Sequence, residues 1–212
     1  MKVDIWMDLT CPFCYMGKKK FMAALQQFPG KENVMVRFRS FELDPNAAKT
    51  YPGTLYDWLS NRYGKSREEI IEMNRPVIQQ AESLGLKLNL DQVKPTNSFD
   101  AHRLLQLAAT ENKEIILSDE LFKAHFTDGK NISDFDVLTE AGLTCDISES
   151  EIKAVLFSDK FADRVREDEA LAQQLSIRGV PFFLFNDTQY VSGSQPQNVF
   201  LNALEKLSET EN

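Results

Sequence analysis

The sequence predicts an α/β fold in which one small sheet is assembled from both ends of the chain. Three observations predict it. Residues 1–41 read as strand, helix, strand; residues 180–207 read as strand, strand, helix; and residues 54–175 between them carry helical periodicity without strands. With 212 residues, 42% of them hydrophobic and 26% charged, the chain has the make-up of a globular protein with a sizeable core.

Each element has its own signal. Val3 to Leu9 is apolar enough for a buried strand, although Asp4 and Asp8 interrupt it. The stretch TCPFCYMGKKKF, Thr10 to Phe21, follows, and Phe21, Leu25 and Phe28 recur with Cys14 at helical spacing until Pro29-Gly30 ends the helix. Lys18, Lys19 and Lys20 read as a solvated helix face. Val34, Val36 and Phe38 alternate strictly, as a strand with one buried face requires.

Ser66 with Glu69 and Ser148 with Glu151 are capping-box patterns that open helices in the middle block. Pro76 falls inside one helical pattern and is expected to kink or split it. VPFFLF, Val180 to Phe185, is a strand; Asn186 to Gln189 is a turn; Tyr190-Val191 is a second strand. Gln195-Pro196 opens a last helix through Leu207, because proline suits the first helical turn, and Ser208 to Asn212 is expected to be disordered. The order β-α-β … β-β-α is that of a thioredoxin-like fold with a large all-helical insertion. The expected division is 1–50 with 176–212 as a discontinuous thioredoxin-like domain, and 51–175 as the helical insertion.

A formal charge of −8 argues against nucleic-acid partners and against anionic membrane surfaces. Nowhere do about 18 apolar residues run together, so no membrane span is expected. The first eight residues hold two aspartates and no long apolar signal core, so a cytoplasmic location is expected. Three cysteines are too few for a disulfide framework, and a close pair in a reducing compartment points to catalysis or metal.

The chemistry should lie in Cys11-Pro12-Phe13-Cys14. With Cys11 at the N-cap and Pro12 at the first helical position, the Cys11 sulfur would face the N–H groups of Phe13 and Cys14. That setting favours thiolate and lowers the pKa of Cys11. Positions i and i+3 share a helix side, so Cys14 can resolve a mixed disulfide formed at Cys11. Zinc is disfavoured because Cys145, His102 and His125 lack paired spacing with the CPFC cysteines, and no metal is expected. Pro181, after Ser176-Ile177-Arg178-Gly179-Val180, enters a strand, and a cis Val180-Pro181 bond would set the Val180 backbone beside Cys11 to pair with an extended substrate.

Five blocks extend the reading: DLTCPFCYMGKKKF from Asp8, FELDP from Phe41, NSFDAHRL from Asn97, LFKAHFTDGKNISD from Leu121, and GVPFFLF with VSGSQP from Gly179. In this order they resemble the DsbA-like thioredoxin proteins, and more closely their cytoplasmic FrnE-type branch. The resemblance implies a thiol-disulfide oxidoreductase with Cys11 attacking, Cys14 resolving and Pro181 as the cis-proline. Pro12, Phe13 and Val180 would join Pro181 in substrate binding. Gly17 is expected to permit close packing beside Cys14. Asn97 or Ser98 should cap a helix, with Asn97 also a candidate for the active-site groove. His102 reads as a structural histidine or as a group near the thiolate that tunes it electrostatically; His125 and Cys145 read as packing residues.

No bound cofactor is expected beyond the Cys11–Cys14 disulfide itself. Expected partners are protein or small-molecule thiols and disulfides, with glutathione as a redox partner, in a monomer or homodimer. Two other functions stay open. Kappa-class glutathione transferases and hydroxychromene-carboxylate isomerases share the split architecture but are expected to carry serine where Cys11 stands. A holdase-like binding module would use the helical insertion without turnover.

Overall fold

Strand β1 (Lys2–Met7) is buried on both faces because it lies inside the sheet, between β2 (Met35–Ser40), parallel to it, and β3 (Phe182–Phe185), antiparallel. Strand β4 (Gln189–Ser192) pairs antiparallel with β3 at the edge, so the order is β2-β1-β3-β4. The structure is a computed structural model and describes residues 1–210.

Register sorts the side chains. Val3 faces Phe185 and Ile5 faces Phe183, while Asp4 pairs with Leu184 and Trp6 with Phe182 on the other side of the pleat. The phenylalanine face receives helix α1 (Pro12–Gln27) and the last helix, α9 (Gln197–Thr210). Phe21 of α1 stacks its ring 5.5 Å from Phe183 and 5.8 Å from Phe200, and Phe183 lies 4.6 Å from Phe200. The opposite face carries a cluster of Trp6, Leu184, Ile177 and Ala172, the last from helix α8 (Ala162–Gln174). On that face Arg39 Nε donates to Asp4 at 2.8 Å and its Nη1 donates to Asp168 at 2.7 Å. Asp168 also accepts from the Ser40 N–H at 3.0 Å, and its carbonyl accepts from Trp6 Nε1 at 3.0 Å.

The chain divides into two compact units, residues 1–43 with 166–212 and residues 44–165. Sequence pattern placed those divisions at 50/51 and 175/176. The difference arises because α8 reads as one more helix of the insertion, yet from Arg166 onward its side chains serve the sheet unit: Arg166 pairs with Glu42 at 2.7 Å, and Asp168 with Arg39.

The second unit contains α2 (Leu55–Tyr63), α3 (Arg67–Glu82), α4 (Phe99–Thr110), α5 (Glu114–Phe126), α6 (Phe135–Thr144) and α7 (Glu149–Leu156), with no strand among the described residues. Both capping boxes sit at helix starts: the Ser66 N–H donates to Glu69 at 2.8 Å, and Ser148 Oγ accepts from the Glu151 N–H at 3.3 Å. Pro76 does not split its helix, since α3 runs through it from Arg67 to Glu82. Proline removes one donor and crowds one carbonyl, and the rest of this capped 16-residue helix carries the defect. Ser208 and Glu209 lie in α9 and are not disordered; Glu211 and Asn212, which shared that expectation, lie outside the described residues.

The lysine run also differs from expectation. Lys18 is 2% exposed with Nζ 5.6 Å from the Phe38 ring centre, and the Lys20 ammonium donates to the Ser194 carbonyl at 2.9 Å. Only Lys19 of the three is exposed. Long apolar stems let lysines cross a helix–sheet seam, and a run of like charges in sequence does not report on which helical faces they fall.

Candidate active site

Cys11 stands at the N-cap of α1 with extended backbone (φ −99°, ψ 114°), and Pro12 occupies the first helical position. Proline fits there because that position needs no N–H donor. Cys11 is 5% exposed and Cys14 is 0% exposed, so the first is the sulfur within reach of a partner. Both are free thiols. Phe13, between them, points outward and is 44% exposed.

The capping geometry differs from the expected one. The Cys14 N–H donates to the Cys11 carbonyl at 3.0 Å, and no side-chain hydrogen bond caps the helix. The Cys11 sulfur instead lies against the Val180 carbonyl, donating to it at 3.9 Å. The backbone oxygen of the N-cap residue satisfies the first-turn donor that was assigned to its sulfur.

Cys14 has a distinct environment. Burial pushes its thiol well above the ordinary range, and the hydrogen bond and charge of Cys11 push the same way. The Asp8 N–H, donating to Cys14 Sγ at 3.4 Å, opposes this by favouring thiolate, whereas the Asp8 charge raises the thiol further. In the sequence Asp8 reads only as a charge that interrupts a strand. It is 1% exposed, and it organises the turn into α1: its carboxylate accepts from the N–H groups of Thr10 at 3.0 Å and Leu43 at 2.7 Å, and its carbonyl accepts from the Cys11 N–H at 3.1 Å. An aspartate three residues before the first cysteine, at the end of an apolar strand, was the available signal.

The segment carrying Val180 and Pro181 is fixed at both ends. The Ile177 N–H closes onto the Ala172 carbonyl at 2.9 Å, and the Gly193 N–H donates to the Pro181 carbonyl at 2.8 Å. Gly193 holds φ at +81°, a backbone region that glycine enters without steric cost. The Val180–Pro181 peptide is cis. Gly17 lies under the Pro181 ring: a Cβ there would sit 2.8 Å from Pro181 Cγ and 3.5 Å from Phe183 Cζ. The nearest atoms that a Cβ at position 17 would meet thus belong to the proline loop and to β3.

Cys11, Pro12, Phe13, Cys14, Gly17, Val180 and Pro181 therefore belong to one unit and one end of its sheet. Asn97 and His102 belong to the helical unit. There Asn97 Oδ1 accepts from the Phe99 N–H at 2.8 Å at the start of α4, and His102 is buried in that helix. His125 is buried with its ring 4.7 Å from that of Phe126, and Cys145 is a buried thiol at the end of α6 whose burial raises its pKa. Among the described residues no group of three or more His, Cys, Asp or Glu could hold a metal, and no helix is long and apolar enough to cross a membrane.

Known proteins share this fold. A probable DsbA oxidoreductase from Streptomyces coelicolor is 38% identical, with a TM-score of 0.91 over 97% of this chain and 89% of its own. A 2-hydroxychromene-2-carboxylate isomerase shares the fold at 17% identity and a TM-score of 0.74, covering 100% of this chain and 98% of its own. The cytosolic disulfide reductase DsbM from Pseudomonas aeruginosa does so at 15% identity and 0.69, over 99% and 100%, and its structure is also known with GSH. The DSBA-like thioredoxin domain matches residues 2–205, nearly the whole chain, and on that match the protein belongs to the DSBA-like thioredoxin family.

Proposed function

We propose that the protein is a cytoplasmic thiol-disulfide oxidoreductase of the FrnE-type branch, working through Cys11 and Cys14. The observation that supports this most directly is the asymmetry of the pair: Cys11 lies beside the Val180 carbonyl at the N-terminus of α1, and Cys14 lies fully buried behind it within hydrogen-bond reach. The Cys11 thiolate attacks one sulfur of a substrate disulfide, and the other sulfur leaves as a thiolate that takes up a proton. Cys14 then gives up its proton and attacks Cys11, which forms the Cys11–Cys14 disulfide and releases the second substrate thiol. Two electrons pass from the protein to the substrate; the reverse sequence oxidises a dithiol. Pro12, Phe13, Val180 and Pro181 frame the place where an extended substrate pairs with the Val180 backbone.

The glutathione seen with DsbM favours a glutathione-linked thiol pool as the recycling partner here as well. The likeness to the isomerase is one of fold, and the sulfur at position 11 favours redox exchange over isomerisation. Equilibration in glutathione buffers of graded ratio, acid quenching and thiol mass-tagging tests the proposal. Cys11 and Cys14 should lose their tags together as the buffer becomes oxidising, while Cys145 keeps its tag. Independent tagging of the two at every ratio would contradict it.

A pH dependence follows from the burial of Cys14. Resolution of a Cys11 mixed disulfide needs the Cys14 thiolate, and the desolvation that disfavours it persists when Cys11 is tied up. The single-turnover rate should climb close to tenfold per pH unit from pH 6, past the ordinary thiol value of about 8.5. A plateau setting in near the ordinary thiol value of about 8.5, followed with a chromogenic leaving thiol, would show that Cys14 ionises as a normal thiol.

A further inference from the structure

We infer that Gly17 is a positioning residue for substrate docking: the absence of a side chain at this point of α1 sets how close the Val180 backbone comes to the Cys11 sulfur. The inference rests on the proposed function, because it concerns how a peptide substrate is presented to Cys11.

Gly17 follows Cys14 by three residues on α1, and Pro181 follows Val180 directly, so the contact between them joins the cysteine helix to the docking loop. The gap is too small for a methyl group. A Cβ at position 17 would sit 2.8 Å from Pro181 Cγ, with Pro181 Cβ and Phe183 Cζ each at 3.5 Å. Carbon atoms pack at about 3.5–4.0 Å, so one partner must move.

The helix is poorly placed to yield. Phe21, one turn further on, is wedged among Phe183, Phe185 and Phe200. The Pro181 carbonyl is tied to Gly193, and Phe182 is already in the sheet opposite Trp6. The movable part is the stretch before the proline, Arg178 to Val180, whose Gly179 has open space where a Cβ would project. Displacing it carries the Val180 carbonyl away from its 3.9 Å approach to Cys11 Sγ. An extended substrate that pairs with the Val180 backbone is then held out of register with the Cys11 sulfur.

The test compares two substrates on wild type and Gly17→Ala: a disulfide-linked peptide, which can pair with the Val180 backbone, and bis(2-hydroxyethyl) disulfide, which has no peptide groups. For the variant, kcat/KM on the peptide should fall about tenfold or more, mostly through KM, as loss of substrate binding requires. On the small disulfide it should fall no more than about twofold, since direct attack by Cys11 needs no strand pairing. Equal losses on both substrates would mean a structural glycine only, and no loss on either would mean that a change of proline pucker absorbs the methyl; both overturn the inference. Should Gly17→Ala fail to fold, Gly17→Ala/Pro181→Ala, which removes the Cγ atom, is expected to fold, and its failure would overturn the inference too. Wild type inactive on both disulfides would instead refute the proposed function and leave the Gly17–Pro181 packing as a structural contact.

Discussion

Serine in place of Cys11 is expected to abolish disulfide exchange, a loss on the order of a thousandfold or more, as when other covalent nucleophiles are removed. The hydroxyl neither forms nor leaves a disulfide, and Cys14 cannot substitute because it is fully buried with its thiol pushed up. Serine in place of Cys14 should behave differently. Cys11 still attacks, but nothing behind it resolves the product, so a protein–substrate mixed disulfide accumulates as a mass increase equal to the substrate fragment. The two variants thus separate attack from resolution. The Asp8 N–H that donates to Cys14 Sγ at 3.4 Å meets another acceptor in serine, so the local fold should survive. Insulin reduction or glutathione-disulfide exchange, read beside intact-protein mass spectra, checks both. Wild-type turnover by the double serine variant would remove the proposed chemistry altogether.

Much of this was legible from the sequence because its signals are local. Alternation wrote out β2, the apolar run of Val180 to Phe185 wrote out β3, and the S-x-x-E boxes marked where α3 and α7 start. Pro12 after Cys11 placed the pair at a helix start without any tertiary information. Other features depend on what the chain meets in space. Asp8 looks like a strand-breaking charge until Leu43, distant in sequence, brings an N–H to its carboxylate. Lys18 and Lys20 read as surface because their burial depends on Phe38 and Ser194. Gly17 reads as permissive from the sequence, but the partner that gives the missing Cβ its meaning lies more than 160 residues away. The Cys11 sulfur does not cap the helix because the backbone oxygen of Cys11 competes for the same donors, and residue type says nothing about that competition.

The sheet face opposite α1 carries the largest expected stability effect, and it bears on the site through the chain that follows α8. Arg39 bridges two buried carboxylates, Asp4 and Asp168, and its guanidinium carbon lies 5.9 Å from the Trp6 ring centre. Removing one partner from a buried ionic cluster leaves the others desolvated without compensation, which costs about 3–5 kcal/mol. Arg39→Met keeps much of the stem volume and deletes the charge, so it isolates that loss from a cavity effect. Lys2 remains 3.1 Å from Asp4 and compensates that carboxylate in part, whereas Asp168 loses its 2.7 Å contact with the guanidinium and keeps the Ser40 N–H. Urea unfolding should therefore show Arg39→Met destabilised by about 3 kcal/mol or more. Arg39→Met/Asp168→Leu should recover part of the loss, because an apolar replacement of both partners removes the stranded charge. Asp168 anchors α8 by accepting from Ser40 and Trp6, and α8 leads through Ile177 into Val180 and Pro181. Loosening that anchor should therefore lower exchange on peptide disulfides well below the unfolding midpoint. A variant within about 1 kcal/mol of wild type, as for an exposed ion pair, would show that the guanidinium does not bridge the two carboxylates in solution.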